Sequence, residues 1–308
     1  MYKYTISLDN ESVGIVSDTD LMTLFNQWSE LLHLKDVAVS LEGENEFVVE
    51  YSNSTDNYVY YSNKCAHVRI PLAKLQSGEL LLYAALPFLE VLQQRRSVIT
   101  VHAAAVEIRG KAVLLLGKVG AGKTSLIISL CQNHQAQLIG NDIVKIEMAE
   151  EKIMACTGSK YFFLREESIR RNIPSLLSLF PYSEKDSWTH KIYCTPSELG
   201  IIIGKGFVPI TRSYLVHIDE TMDKLHSVNA DTMDTRLYLN ENMSRYIRGT
   251  AIALFEEGRK FLGYVPSFDT PDFFSMRVRV TEQLISMSKI KYVAGNLKDT
   301  CQHIISGI

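Results

Sequence analysis

Eight consecutive residues, Gly117, Lys118, Val119, Gly120, Ala121, Gly122, Lys123 and Thr124, complete the pattern G-x-x-x-x-G-K-[ST]. Each fixed position has a chemical reason. Glycines let the backbone curl so that successive N–H groups face inward with no Cβ in the way, which is what phosphate oxygens need. The lysine brings a cation to the β- and γ-phosphates, and the threonine hydroxyl is a ligand for Mg²⁺. Ser125 then opens a helix whose N-terminus adds partial positive charge. In a chain this long the four fixed positions coincide by chance at roughly the one per cent level. The flanks also agree, because residues 111–116 read as an apolar strand and 125–130 as an apolar helix. The pattern therefore predicts that Gly117, Val119, Gly120, Ala121, Gly122, Lys123, Thr124 and Ser125 hold the phosphates of a nucleotide. Base preference, ATP against GTP, is not legible, and no guanine-reading Asn-Lys-x-Asp motif is present.

A site of this kind also needs a carboxylate at a strand end to hold Mg²⁺. Two residues qualify. Asp142 follows Leu138, Ile139, Gly140 and Asn141, whereas Asp219 ends the apolar run of residues 214–218. Spacing alone slightly favours Asp219, and either aspartate also suits an ordinary strand-end turn.

Three segments in order, His102-Ala103-Ala104-Ala105-Val106, the phosphate loop, and Asn141-Asp142-Ile143-Val144, resemble the HPr kinase/phosphorylase family. These are bacterial kinases of a phosphocarrier protein, with a P-loop fold related to phosphoenolpyruvate carboxykinase. Leu215-Val216-His217-Ile218-Asp219 resembles a later strand of the same family. The resemblance implies an α/β P-loop domain, ATP and Mg²⁺ as cofactors, and Thr124 with Asp142 as the metal ligands. It further implies a kinase moving the γ-phosphoryl group to a hydroxyl, on a peptide or protein serine or on a small molecule, and a homo-oligomer. Two features depart from the pattern. The family's first aspartate, its base toward the acceptor, is Asn141 here, and asparagine cannot accept a proton at neutral pH. The family's basic loop for its protein substrate has no evident counterpart. The chain thus resembles a divergent member, and the base is left between His102, whose imidazole titrates near neutrality, and Asp142. Lys123, His102 and Asp142 form the expected catalytic set. The alternative is a nucleotide-binding switch or weak NTPase with no acceptor; a pyrophosphate- or phosphate-using enzyme is a third reading.

The elements that must position these residues follow an α/β grammar. Residues 98–108 and 111–117 read as β-rich runs joined by a tight turn at Arg109-Gly110, followed by a helix over 124–133. Strand runs follow at 138–139, 143–148 and 213–218, with a last strand and helix over 291–294 and 297–305. The first 96 residues carry period-2 alternation at Tyr4, Ile6 and Leu8 and at Val37, Val39 and Leu41. Asp20 is placed to cap a helix bearing Leu21, Leu24, Phe25, Trp28, Leu31 and Leu32. Residues 47–51 and 58–61 suit a hairpin across 53–57, and a helix spans about 79–96, with Pro87 as a point of bending. This reading gives a small α+β accessory or docking domain at 1–96 and a P-loop kinase-like domain at 97–308.

Further cations and loops have two readings each. Lys123 with Arg165, Arg170 and Arg171, which follow Gly158-Ser159-Lys160, could clamp a phosphate or an acidic substrate, but Arg165, Glu166, Glu167, Arg170 and Arg171 are spaced for i,i+4 ion pairs, which favours a solvated helix face. The segment 181–195, with Trp188, His190 and Lys191, has the size of a lid. Arg245 and Arg248 are within reach of a nucleotide phosphate in principle, although a surface role suits them better.

Composition sets the outer limits. With 308 residues, 46% hydrophobic residues and 22% charged ones, the chain reads as globular. A net charge of −3 and the lack of aromatic–basic interleaving argue against a nucleic-acid partner. The longest apolar run is ten residues, 80–89, against the ~20 that a bilayer requires, so no membrane span is expected. Five scattered cysteines, none in C-x-x-C spacing, and the lack of a signal-like start point to a cytoplasmic setting.

Overall fold

A computed structural model describes residues 1–8, 10–25, 37–40, 45–75, 79–181, 183, 186–250, 252–255 and 260–308. The chain is a mixed α/β protein. It divides into two compact units, Met1–Ile99 with Glu241–Arg277, and Thr100–Asn240 with Val278–Ile308.

The first unit holds strands β1 (Tyr2–Leu8), β2 (Glu11–Ser17), β3 (Val37–Ser40), β4 (Val48–Asn53), β5 (Tyr58–Ser62) and β6 (Cys65–Ile70) in the order β3-β1-β2-β4-β6-β5. Alternation puts Tyr4, Ile6, Val13, Ile15, Val49, Tyr51, Val68 and Ile70 on the buried face. Helix α1 (Glu79–Arg95) covers that face with Leu81, Ala85, Phe88 and Leu89, running through Pro87 without a break. The later segment adds Ile247, Ile252, Leu254 and Val265 to the same core, the last three from or beside the hairpin of β17 (Ala253–Phe255) and β18 (Phe261–Tyr264). It also supplies Asp269, whose Oδ2 accepts from the fully buried Arg277 at 2.6 Å and from Arg248 at 2.9 Å, while Arg277 donates to Gln94 at 2.9 Å.

One expectation for this unit changes. Residues 58–61 do not form a hairpin with 47–51. β4 instead runs parallel between β2 and β6, and β5 hairpins with β6 through Asn63 and Lys64. The burial patterns explain it: β4 and β6 each bury alternate residues fully, whereas β5 buries none fully and takes the edge. Asp20 does accept the Met22 N–H at 3.0 Å ahead of a helical turn at 22–25. Trp28, Leu31, Leu32 and Leu41 lie outside the described residues.

The second unit is built on a sheet of β8 (Ala104–Ile108), β9 (Lys111–Leu116), β10 (Gln137–Gly140), β11 (Val144–Ala149), β12 (Lys152–Gly158) and β15 (Val208–Ile218), in the order β10-β8-β9-β15-β12-β11. β7 (Val98–Val101) follows at the β11 end, and β19 (Lys291–Gly295) pairs with β15 and with β16 (His226–Asn229). β15 is parallel to both β9 and β19, and β9 is buried from Ala112 to Leu116, as expected of a strand covered on both faces. The run 98–108 is therefore two strands, broken at His102-Ala103. The Arg109-Gly110 turn has φ of +53° and +73°, the backbone of a two-residue hairpin between paired Ile108 and Lys111. Helices α2 (Lys123–His134) and α6 (Leu297–Ser306) pack against this sheet through Leu126, Ile127, Leu130, Leu297 and Ile304. α3 (Glu166–Asn172) directly follows β13 (Phe162–Arg165), which pairs antiparallel with the later β14 (Lys191–Cys194). α4 (Thr232–Ser244) and α5 (Pro271–Ser288) are the remaining helices of eight or more residues among the described ones.

Candidate functional site

The glycine-rich segment joins β9 to α2. Gly117, Gly120 and Gly122 all have positive φ, at +153°, +83° and +87°. Gly122 is the most constrained: a Cβ there would lie 2.5 Å from Ile218 Cβ, on top of a φ that L-residues resist. Ile218 stands so close because its N–H donates to Ala121 O at 3.0 Å, tying the end of β15 to the loop. Leu126 N donates to Gly122 O at 2.9 Å, which closes the first turn of α2.

Lys123 is buried at the start of that helix, and its Nζ donates to Gly117 O at 2.7 Å and to Lys118 O at 3.3 Å. The ammonium is thus folded across the loop, held by the carbonyls of its first two residues. Gly117 N donates to Tyr238 Oη on α4 at 3.0 Å. Val119, by contrast, is largely exposed at the tip of the loop.

Thr124 Oγ1 donates to Asn141 Oδ1 at 3.1 Å, and Asn141 Nδ2 donates to Tyr161 O at 2.9 Å. Asn141 is buried, with its backbone N–H on Ser159 O at 2.8 Å. Ser159 Oγ donates to Asn141 O, and Lys160 Nζ donates to Ile139 O, so these two residues bind the chain around the end of β10. Beside Asn141, Asp142 takes φ +73° and leaves its side chain half exposed. Its Oδ1 lies 3.1 Å from His102 Nδ1, at the break between β7 and β8. The backbone turn at Asp142 is a left-handed conformation that Asp and Asn tolerate better than other non-glycine residues.

The other candidates sort clearly. Asp219 Oδ1 accepts from Thr221 Oγ1 at 2.7 Å and from Thr221 N at 2.9 Å, and those bonds hold its carboxyl below the usual range. It caps a turn at the end of β15, next to the residue that braces the loop. Arg170 and Arg171 pair with Glu166 at 2.5 Å and Glu167 at 2.7 Å, the expected i,i+4 partners on α3. Arg171 also covers the Trp188 ring at 4.8 Å. His190 is buried with Nδ1 2.7 Å from Glu166 Oε2, and Ser187 O and His190 O accept from the first amides of α3. Arg248 is committed to Asp269, and Arg245 lies over the Tyr246 ring at 5.6 Å.

Ser125 Oγ accepts from Asn172 Nδ2 at 3.0 Å. Asn172, Tyr161 and Tyr238 were not among the sequence candidates. None carries a local signal, since each reaches the loop or its neighbours from 20 or more residues away.

The geometry brings together a curled amide-lined loop, a buried lysine, a helix N-terminus and a hydroxyl. Thr124 meets Asn141, whose neighbour Asp142 faces His102. Compared with known proteins, the chain matches no family model and no curated protein sequence.

Proposed function

We propose that the chain is an ATP-dependent phosphotransferase, a P-loop kinase resembling HPr kinase, that moves the γ-phosphoryl group to a hydroxyl of a peptide, a protein or a small molecule. The observation that carries this reading is the run of contacts from loop to carboxylate. Lys123 is held at the loop mouth, Thr124 meets Asn141, and Asp142 meets His102. Loop amides and the α2 terminus would bind phosphate oxygens, with Lys123 turning from the Gly117 and Lys118 carbonyls onto the β- and γ-phosphates.

The Thr124 hydroxyl and the half-exposed Asp142 carboxylate are hard oxygen donors of the kind that suits Mg²⁺. Bound there, the ion would neutralise charge on the transferred group. In the transfer, the acceptor oxygen bonds to the γ-phosphorus as the bridging P–O bond breaks, and ADP keeps that electron pair. The hydroxyl proton passes to His102 or to Asp142. If His102 takes it, Asp142 orients the imidazole and steadies its charge. Asn141 orients Thr124 and takes no proton.

The test uses purified protein, Mg²⁺ and γ-labelled ATP, with and without size-fractionated extract of the source cell. Label in a peptide, protein or metabolite fraction, lost in Lys123→Ala, is the expected result. Unchanged ATP binding by Lys123→Ala would sink the loop assignment. A nucleotide switch is the second reading, favoured by the burial of Asn141 where a base is expected. Asn141→Asp separates the two: a large gain in hydrolysis with no acceptor present speaks for the switch. That no described helix is long and apolar enough to cross a membrane is compatible with either reading.

A further inference from the structure

A second cluster of reactive side chains lies in the first unit. Glu50 on β4 is opposite His67 on β6, and β5 returns to set Tyr60 opposite His67 and Ser62 opposite Cys65. Cys65 and His67 are two apart on one strand and share a face. Their neighbours Ala66 and Val68 are fully buried in the core, so the trio lies on the outward face. His67 Nδ1 is 3.0 Å from Glu50 Oε2 and 3.9 Å from Cys65 Sγ. All three donor atoms fall within 4.8 Å of one another, the one such group among the described residues.

We propose that Cys65 Sγ, His67 Nδ1 and one Glu50 oxygen form a binding site for a divalent cation of the zinc class, with a fourth position open. Tetrahedral bonds of about 2.0–2.3 Å place donor atoms about 3.3–3.7 Å apart. The observed separations bracket that range, and side-chain rotations of about an ångström bring the donors to it. A thiolate is a poor ligand for Mg²⁺ or Ca²⁺, while one sulfur, one nitrogen and one oxygen suit zinc. The imidazole is also held as a ligating histidine usually is. Its Nε2 is 2.8 Å from Ser62 Oγ, and its ring stacks on Tyr60 with centroids 4.4 Å apart and planes at 12°.

The proton balance follows from this arrangement. A neutral imidazole has one ring proton; ligation through Nδ1 places it on Nε2, where Ser62 Oγ accepts it, and the ring itself releases none. A cysteine ligates as the thiolate, so the Cys65 proton leaves to solvent when the metal binds. Each ion therefore releases about one proton.

The test is a Co²⁺ titration of the reduced full chain, followed by Zn²⁺ displacement. A thiolate-to-cobalt charge-transfer band with tetrahedral d–d absorption is expected, both erased by Zn²⁺. Calorimetry of Zn²⁺ binding in two buffers of different ionisation heat should report about one proton released. Cys65→Ser should remove the charge-transfer band, and Ser62→Ala should weaken Zn²⁺ roughly tenfold, as loss of an outer-shell partner does. Absence of the band in the native chain, or its survival in Cys65→Ser, overturns the proposal. The native-chain spectrum makes the test independent of how the variants fold.

Discussion

Alanine at Gly122 and alanine at Gly120 make a matched pair that isolates the close approach of β15 to the loop. Both glycines have nearly the same positive φ, +87° and +83°. A Cβ at Gly120 meets nothing within 4 Å, whereas one at Gly122 meets Ile218 Cβ at 2.5 Å and Cγ1 at 2.6 Å. The left-handed backbone costs an L-residue about 1–2 kcal/mol. Restricting the unfolded chain returns about 0.4–1 kcal/mol. Gly120→Ala should therefore destabilise by about 1 kcal/mol. Gly122→Ala carries the same backbone term plus an overlap worth about 1–3 kcal/mol, because Ile218 is a buried core residue that cannot swing aside. Its total is about 2–4 kcal/mol.

Urea unfolding followed by circular dichroism reads the difference. With an m-value of about 2 kcal/mol/M, the Gly122→Ala midpoint should lie about 0.5–1.5 M below that of Gly120→Ala. Nucleotide binding should fall in the same order. Equal midpoints for the two variants, with unchanged m-values, would refute the reasoning, because only the Ile218 contact distinguishes them.

Three further outcomes follow from contacts elsewhere. Asp269→Ala should destabilise the first unit by about 3–5 kcal/mol, since it strands the buried Arg277 guanidinium; thermal or urea unfolding measures this. Burial alone would raise the Asp269 carboxyl, but Arg277 and Arg248 outweigh it and hold it below the usual value. Its contribution is thus complete above the unfolded pKa of about 3.9 and disappears as pH falls through the lower folded value, a loss that Asp269→Asn should not show. Arg170→Ala and Arg171→Ala should leave nucleotide affinity within about twofold, because each cation is paired on α3 with Glu166 or Glu167; a phosphate-clamp role would show as a larger loss in a binding titration. Burial pushes the Cys131 thiol up to about 12 and the Cys301 thiol up to about 11, so neither should react with a thiol reagent at pH 8 until the chain unfolds, as peptide mapping after alkylation would record.

Much of the second unit was legible because its signals are local. The apolar run over 111–116, the glycines and the helix that follows each have a period or a φ requirement written into adjacent residues. The final strand and helix are found at Lys291–Gly295 and Leu297–Ser306, within a residue or so of the reading. Pairing was less legible. Alternation at 47–51 and at 58–61 marks two strands but does not say that β6 stands between them, a choice made by which strands have enough apolar residues to occupy the interior. The run 98–108 looks continuous, yet it breaks at His102, and only the sheet order shows that its halves pair with different strands. In the candidate site, Lys123 and Thr124 stand out by motif. Their supports do not, since the Tyr238 hydroxyl and the Tyr161 carbonyl arrive from distant parts of the chain with nothing nearby to mark them.

The split first unit has a consequence for the order of events during synthesis. Its core draws Ile247, Ile252, Leu254 and Val265 from the late segment, and its buried arginine is residue 277. The first 99 residues emerge from the ribosome with part of their apolar face still uncovered. At about 5–20 residues per second, residues 100–277 take roughly 10–35 s to follow. Over that interval the nascent β-sheet is exposed to solvent and to chaperones. A stall or truncation before residue 277 therefore leaves an aggregation-prone N-terminal fragment rather than a finished domain.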